Sequence, residues 1–378
     1  MRIGFDGKRA VQNFTGLGNY SRYIIDILYR FLPGNEYVLY APRKRSSRNF
    51  DELLQRCPLL KTIYPEGSWK RFKSLWRTFG LTSRLEDDGI DIFHGLSNEL
   101  PLNIRKAKNV KSVVTIHDLI FLRYPAYYHW IDRKIYTYKF RKACENADVV
   151  IAISECTKRD IISYFHIPEE KIKVVYQGCD ASFTQVVTSE KKQEVREKYD
   201  LPEHYILNVG SIEERKNVLL AVKSLPHLPQ EMHLVIVGRR TPYTDEVETF
   251  IRIHHLEDRV KILSGVPFID LPAIYQQAEI FVYPSRFEGF GIPIIEAIHS
   301  GLPVVAVTGS CLEEAGGPDS IYVHPDDVEA MVAALKRLLG NIDLRQKMIE
   351  RGRTFVCSFA EEKQAQQLME IYTLCLRE

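Results

Sequence analysis

The 378-residue chain is predicted to be an α/β protein with two Rossmann-like domains. Short, near-continuous apolar runs, typical of buried parallel strands, alternate along it with amphipathic helical stretches. The alternation stops at a polar segment rich in Lys and Glu, residues 186–202, and then starts again. A chain of this length also exceeds one ordinary hydrophobic core, which favours two domains.

The first half opens with a strand at residues 3–6, the loop Gly16-Leu17-Gly18 and a helix with one apolar face. A Gly-x-Gly loop lets backbone approach a phosphate, but a plain tight turn is an equally good interpretation. A later apolar strand ends at His117-Asp118. Parallel sheets bind ligands at the carboxyl ends of their strands, so His117 is predicted to contact a ligand, with a structural histidine as the alternative.

Residues 69–77 combine cations with aromatic side chains. Helical spacing predicts that Trp69, Phe72 and Trp76 share one face, which would either contact a membrane interface or pack on the core. Residues 1–185 carry 30 Lys and Arg against 20 Asp and Glu, whereas the remainder carries 21 against 29. This asymmetry favours an anionic partner for the first half, such as a membrane surface, although chance placement of solvated charges would also produce it.

The second half is organised around residues 280–298. An apolar strand closed by Pro284 leads through a turn containing Gly289 and Gly291 into a helix, and Glu288 and Glu296 bracket the turn. A helix N-terminus beside a glycine turn suits an anion, and carboxylates accept hydrogen bonds from hydroxyl groups. The stretch therefore predicts a site for a sugar nucleotide.

Composition excludes several other classes of protein. The seven cysteines are scattered without a CxxC pair, which indicates free thiols in a reducing cytosol. The sequence shows no signal-peptide layout and no apolar run of about 20 residues, the length needed to span a bilayer. It also shows no cluster of metal-ligand residues. We therefore expect a cytoplasmic protein without metal or nucleic-acid partner, with peripheral contact at the inner face of the membrane as an open alternative.

Taken together, these motifs resemble the family-4 retaining glycosyltransferases, and the first half resembles mannosyltransferases among them. The most specific match is the E-x7-E stretch from Glu288 to Glu296 with its flanks, and similarity extends over residues 2–370. The resemblance implies the GT-B fold, in which two Rossmann-like domains face each other across a cleft. It implies an acceptor-side domain at 1–185, a nucleotide-sugar domain at 186–357, and a C-terminal helix at 358–378 that returns to the first domain.

The resemblance also implies roles for individual residues. Lys216 and Arg215 would stabilise the charge that builds on the departing diphosphate, Glu288 would bind the hydroxyls of the transferred sugar, and His117 would contact that sugar from the first domain. These four are the predicted catalytic residues. Predicted donor contacts are Gly16, Gly18, Ser211, Val266, Phe290, Gly291, Ile292 and Glu296, the last on the ribose. Many relatives carry a cation where this chain has Ser211, and Arg215 is the residue placed to compensate.

The predicted function is transfer of a hexose from a nucleotide diphosphate sugar, with GDP-mannose favoured, to a glycan or lipid-linked acceptor in polysaccharide biosynthesis, without a cofactor. UDP-glucose and UDP-GlcNAc are alternative donors, and a non-catalytic binding protein of the same fold is an alternative of another class. An NAD-dependent oxidoreductase is disfavoured because the third glycine is missing from the loop at Gly16 and no acid ends the second strand, where Tyr40-Ala41 stands.

Overall fold

A computed structural model describes residues 1–13, 16–45 and 47–377. The chain divides into two compact units, Met1–Tyr176 with Glu361–Glu378, and Gln177–Ala360. The second unit thus begins before the expected boundary at residue 186 and ends after the expected end at residue 357. Each unit contains a parallel sheet with helices in the connections, so the prediction of two Rossmann-like domains is confirmed.

The N-terminal unit has a seven-stranded sheet in the order β3-β2-β1-β4-β5-β6-β7. Its strands are β1 Arg2–Asp6, β2 Glu36–Tyr40, β3 Lys61–Ile63, β4 Ile92–Gly95, β5 Lys111–Ile116, β6 Val149–Ala152 and β7 Ile172–Val174. Its helices are α1 Lys8–Gln12, α2 Gly16–Phe31, α3 Arg48–Arg56, α4 Lys73–Leu75, α5 Leu81–Asp87, α6 Ile120–Arg123, α7 Trp130–Asn146 and α8 Glu155–Phe165. Because β2 and β4 flank β1 on opposite sides, the sheet has a switch point at the end of β1, where ligands of this fold bind.

The C-terminal unit has a six-stranded sheet in the order β10-β9-β8-β11-β12-β13. Its strands are β8 Tyr205–Val209, β9 His233–Val237, β10 Val260–Leu263, β11 Ile280–Tyr283, β12 Val304–Val307 and β13 Ile321–Val323. Its helices are α9 Ser189–Tyr199, α10 Val218–Ser224, α11 Thr244–Ile253, α12 Leu271–Tyr275, α13 Ile292–His299, α14 Leu312–Gly316, α15 Val328–Leu339 and α16 Ile342–Val356. Here the switch point lies at β8, between β9 and β11.

The last helix, α17 Glu361–Arg377, packs in the core of the N-terminal unit. Leu368 and Tyr372 are fully buried there with the apolar face of α2. The Tyr372 hydroxyl lies 2.7 Å from Nδ1 of His94, a buried residue at the end of β4, and Arg30 of α2 lies 2.8 Å from Glu361. Apolar burial and polar contacts therefore both attach α17 to this unit.

The basic aromatic segment does not form the single helix that its spacing predicts. A 3₁₀ turn, Gly67–Lys70, precedes α4, and a π-helical turn, Trp76–Gly80, follows it. Trp76 is buried in the core, whereas Trp69 and Phe72 are exposed. The prediction of one shared face is wrong because 3₁₀ and π turns depart from 3.6 residues per turn, so the sequence spacing no longer fixes the direction of each side chain.

No helix among the described residues has both the length and the apolarity needed to cross a bilayer. Across the same residues, no three His, Cys, Asp or Glu side chains converge as metal ligands would.

Candidate active site

Glu288 lies at the centre of a partly buried polar cluster in the C-terminal unit. Lys216 Nζ lies 2.5 Å from its Oε1, and Arg215 Nη1 lies 3.1 Å from its Oε2. The hydroxyls of Tyr283 and Ser285 donate hydrogen bonds to Oε1 at 3.0 and 2.7 Å. Four donors thus hold one carboxylate in a single orientation.

The cluster forms because two loops meet at the carboxyl ends of the adjacent strands β8 and β11. The loop after β8 ends in a 3₁₀ turn, Glu214–Lys216, and Asn217 reverses the chain with φ of 53° before α10 begins. The loop after β11 lies alongside, since the backbone N–H of Arg286 donates to the Arg215 carbonyl at 2.9 Å. Arg215 also donates to the Phe287 carbonyl. The two predicted cations and the predicted glutamate are therefore brought together.

The electrostatics of this cluster keep Glu288 ionised. Burial by itself would raise the pKa of Glu288, but the adjacent Lys216 and Arg215 outweigh burial and lower that pKa to about 2. Desolvation opposes the charge on Lys216, and the Glu288 carboxylate more than offsets it, so the pKa of Lys216 is raised. At neutral pH Glu288 has no proton to give, which suits a positioning group rather than a general acid.

Glu296 lies in a different environment, on α13, and is half-buried. The Tyr275 hydroxyl donates to its Oε2 at 2.8 Å. Burial raises the pKa of Glu296 to about 7; the hydrogen bond from Tyr275 acts in the opposite direction, and Asp180 raises the pKa further. The two glutamates of the E-x7-E stretch therefore differ in protonation near neutral pH.

A cavity of about 560 Å³ lies at the carboxyl ends of β8, β9 and β10. It is lined by Val209, Gly210, Ser211, Val237, Gly238, Arg239, Arg240, Ser264, Gly265, Val266 and Leu271. A Cβ at position 238 would lie 1.8 Å from the Gly210 carbonyl oxygen, so the close approach of these two loops requires glycine there. The predicted donor contacts Ser211 and Val266 both line this cavity.

The cavity borders the Glu288 cluster. A Cβ on Gly210 would lie 3.7 Å from Nζ of Lys216. The glycine that lines the cavity is therefore adjacent to the lysine side chain. Glu213 connects the two regions, because its carboxylate lies 3.5 Å from Arg239 and 3.7 Å from Arg215. The Ser211 hydroxyl donates to Glu213 at 2.7 Å.

Sequence reasoning missed several residues of this region. Arg239 and Arg240 directly follow Gly238, the glycine after β9, a position where charge could have been noticed. Arg239 keeps 77% of its side chain exposed in the cavity wall, so it supplies positive charge to the cavity that Ser211 also lines. Tyr275 ends the apolar helix α12, and Tyr283 ends the apolar strand β11. Their sequence pattern alone predicts core residues rather than residues of a polar site.

Gly291 and Ile292 mark the start of α13, as predicted. The first N–H groups of a helix have no acceptor within it, so this end can receive an anion. Phe290, by contrast, is buried with its ring edge-on to Phe359 at a centroid distance of 5.6 Å. The side chain of Phe290 belongs to the core, so only its backbone could contact a nucleotide sugar.

The other predicted residues belong to the N-terminal unit. Gly16 begins α2, and a Cβ on it would meet no described residue within 4 Å, whereas a Cβ on Gly18 would lie 2.0 Å from the Asn13 carbonyl oxygen. His117 follows β5 and is buried, with Nε2 2.9 Å from the Leu96 carbonyl oxygen and its ring edge-on to Tyr20. Burial lowers the pKa of His117 to about 4, so its imidazole is neutral at physiological pH and Nε2 donates to the carbonyl.

Two family models match this chain. The model described as "Glycosyltransferase Family 4" matches residues 16–183, and the model described as "Glycosyl transferases group 1" matches residues 189–355.

Individual proteins are similar over most of their length. The chain is 30% identical over 289 residues to O-antigen chain mannosyltransferase B of Escherichia coli, covering 75% of this chain and 74% of that one. It is 29% identical over 247 residues to O-antigen chain mannosyltransferase RfbU of Salmonella typhimurium, covering 65% of each. Among solved structures, Anabaena HepE in complex with UDP and glucose has a TM-score of 0.77 at 18% identity, covering 99% of each chain, which shows a shared fold.

Proposed function

This chain belongs to the family 4 glycosyltransferases, and we propose that it transfers a mannosyl residue from GDP-mannose to a glycan or lipid-linked acceptor with retention of anomeric configuration. The mannosyl assignment is supported by the relatives from Escherichia coli and Salmonella typhimurium, both of which are named O-antigen chain mannosyltransferases. Those names also support a role in polysaccharide biosynthesis. We place the reaction in the cytoplasm, where the seven free cysteines would stay reduced.

One observation carries the proposal: two cations are held in place by a carboxylate beside a glycine-lined cavity. Lys216 and Arg215 both pair with Glu288, and Lys216 lies directly behind Gly210 in the cavity wall. Preorganised charge aimed at a position where negative charge develops supplies much of the rate enhancement in many enzymes. A departing diphosphate at this wall would meet that charge without rearrangement of the protein.

The proposed reaction breaks the bond between the anomeric carbon of mannose and the diphosphate oxygen. The bonding electrons leave with the nucleoside diphosphate, whose growing charge Lys216 and Arg215 stabilise. The acceptor hydroxyl forms the new bond to the anomeric carbon from the same face, and its proton passes to an oxygen of the departing phosphate. The protein cations supply the positive charge in this scheme, which therefore uses no metal ion or cofactor.

The two glutamates take different parts in the proposal. Glu288, ionised and fixed by four donors, accepts hydrogen bonds from hydroxyls of the sugar. Glu296 accepts hydrogen bonds from the ribose in its ionised form, with Tyr275 orienting it. His117, a neutral imidazole, contacts the sugar from the N-terminal unit, and Gly16 and Gly18 allow backbone to approach the donor.

Calorimetry with the purified full-length protein tests the donor assignment. We expect GDP-mannose to bind more tightly than UDP-glucose and UDP-GlcNAc, and NADH not to bind. Tighter binding of a UDP-sugar would replace the proposed donor while keeping the glycosyltransferase assignment. Binding of NADH with no binding of any sugar nucleotide would contradict the proposal as a whole.

A mass-spectrometric assay separates an enzyme from a binding protein of the same fold. The protein is incubated with GDP-mannose and a panel of mannosylated and lipid-linked oligosaccharides, and release of GDP is measured together with mass gain of the acceptor. We expect both signals, and a Lys216→Ala variant as the matched control should produce neither. Tight donor binding with no product from any acceptor or from water would favour the non-catalytic alternative.

A further inference from the structure

Helix α7 in the N-terminal unit presents apolar side chains to solvent along its first turns. Trp130, Ile131, Ile135 and Tyr138 are 63, 53, 44 and 55% exposed. Only the later part of the helix enters the core, where Phe140, Ala143 and Cys144 are buried. Exposed apolar groups clustered on one helix mark an interaction surface rather than ordinary surface variation.

Cations are interleaved with these apolar groups. Residues 130–142 contain five Lys and Arg against one acid, Asp132. Trp130, Arg133, Lys134, Thr137, Tyr138, Arg141, Lys142 and Glu145 line a groove of about 520 Å³ along the helix. The surface thus offers positive charge and aromatic rings together.

Two of these cations have no carboxylate partner. Lys134 Nζ stands over the Trp130 ring at 4.9 Å, and neither Lys134 nor Arg133 forms an ion pair with any acid of residues 1–13, 16–45 and 47–377. Nε of Arg133 is buried without a hydrogen-bond partner among those residues. Arg133 and Lys134 therefore keep positive charge along the groove that no acid of those residues neutralises, which favours an anionic occupant.

A second exposed segment adjoins this helix. Lys139 of α7 lies 3.7 Å from the Glu99 carboxylate, and Arg77 donates to the same carboxylate at 2.6 Å. Glu99 therefore connects α7 to residues 67–80. That segment contributes exposed Trp69, Phe72, Leu75 and Phe79, together with the cations Lys70, Arg71 and Lys73.

We propose that α7 and residues 67–80 form one docking surface, and that its occupant is an anionic lipid bilayer. Tryptophan and tyrosine rings favour the level of the lipid headgroups, and Lys and Arg side chains reach phosphate groups from there. A protein partner that matched this surface would need acids placed among apolar groups, whereas a bilayer supplies many phosphates above an apolar layer. The proposal deepens the acceptor side of the proposed function, since a lipid-linked acceptor would lie in the same bilayer, but it rests on separate observations.

Co-sedimentation of the full-length protein with lipid vesicles tests this surface. We expect binding to vesicles that contain phosphatidylglycerol, weak binding to phosphatidylcholine alone, and release at high salt. The double variant Arg133→Glu with Lys134→Glu should weaken binding by about 25-fold or more, since each cation near an anionic surface contributes about fivefold. Trp130→Ser with Tyr138→Ser should weaken binding to a degree that salt does not change.

The matched control is Lys336→Glu with Arg337→Glu, which makes the same charge change at exposed positions of α15. This control should retain most vesicle binding, and equal loss in both double variants would show a net-charge effect and overturn the assignment to α7. Absence of binding to anionic vesicles would also overturn it. So would competition by inorganic phosphate at low concentration, which would indicate an anion pocket, or dimerisation abolished by the Trp130 and Tyr138 changes, which would indicate a second copy.

GDP-mannose binding measured on the same variants separates this proposal from the proposed function. Unchanged nucleotide affinity in the α7 variants shows that they are folded, so their loss of vesicle binding can be assigned to the surface. If the wild-type protein binds anionic vesicles but no sugar nucleotide, the docking surface stands and the proposed function fails.

Discussion

The Tyr283 hydroxyl lies between Lys216 and Glu288, accepting a hydrogen bond from Nζ at 2.9 Å and donating one to Oε1 at 3.0 Å. Lys216 Nζ also lies 5.3 Å from the centroid of the Tyr283 ring. The lysine is therefore oriented by a hydroxyl and a carboxylate at once. Such a fixed cation loses little further side-chain entropy when a diphosphate arrives, which is what preorganisation requires.

Replacing Lys216 by Ala should reduce turnover by about 100-fold or more, because the diphosphate would lose a preorganised charge partner. Affinity for GDP should fall as well, since the same charge is present on the bound nucleotide. Steady-state kinetics and calorimetry with GDP measure the two effects. Lys223→Ala, at an exposed position of α10, is the matched control and should leave both unchanged. Full activity of Lys216→Ala would show that the phosphate lies elsewhere.

Glu288→Gln should reduce turnover by about 100-fold while changing GDP affinity by only about threefold, because the carboxylate contacts the sugar rather than the nucleotide. The thermal midpoint should also fall, since Lys216 and Arg215 would lose their countercharge. Kinetics, calorimetry and thermal unfolding together distinguish these effects. Glu214→Gln, at an exposed position of the neighbouring loop after β8, controls for loss of one negative charge. Equal losses of turnover and GDP affinity would refute the division of roles.

Tyr283→Phe should lower turnover by about tenfold, because Lys216 would keep its charge but lose one of the groups that orient it. The expected loss of folding stability is about 1 kcal/mol, typical of one buried hydrogen bond. Tyr322→Phe is the matched control: its hydroxyl donates to the Gly317 carbonyl at 2.7 Å within the same unit. The control should lose similar stability and keep full turnover. An equal loss of turnover in both variants would assign the effect to stability alone.

The fold was predictable from the sequence because its signals are local. Apolar strands such as Ile280–Tyr283 are buried on both faces. The alternation of strands and helices can be recognised from residues that are close together in the sequence. The grouping of Lys216, Arg215 and Glu288 was predictable through resemblance, since a motif carries the three-dimensional arrangement with it. Arg239, Tyr275 and Tyr283 follow no such signal. Their partners lie on other loops or, for Tyr275, on helix α13, and spacing along the chain does not show which of these elements meet.

Residues 69–77 show that helical spacing can also predict a shared face that the structure does not have. Spacing predicts a common face for Trp69, Phe72 and Trp76, yet the backbone changes from a 3₁₀ turn to a π turn within these residues. A Cβ on Gly80 would lie 2.8 Å from the Trp69 ring, so the fold-back of Trp69 depends on a glycine that is not part of the aromatic pattern. The exposed face of α7 carries no strong periodic signal either, because apolar and charged side chains alternate around it.

Binding of GDP-mannose should strengthen as the pH rises from about 6 to about 8, because the pKa of Glu296 is raised to about 7. Below that pKa the protonated carboxyl offers one acceptor fewer to the ribose, and above it the carboxylate accepts from both hydroxyls. GDP-mannose is the suitable ligand because its diphosphate is esterified at both ends and does not titrate in this range. Calorimetry across the range measures the affinity, and binding near pH 7 should release a proton to the buffer.

Two variants test whether Glu296 is the group responsible. Glu296→Gln should bind more weakly than wild type at about pH 8 and show a flat profile, since an amide does not titrate there. Tyr275→Phe should move the midpoint to higher pH, because the Tyr275 hydroxyl donates to the carboxylate at 2.8 Å and thereby favours its ionised form. A profile that keeps its midpoint in Glu296→Gln would assign the titration to another group. A midpoint that moves to lower pH in Tyr275→Phe would contradict the direction of the hydrogen bond.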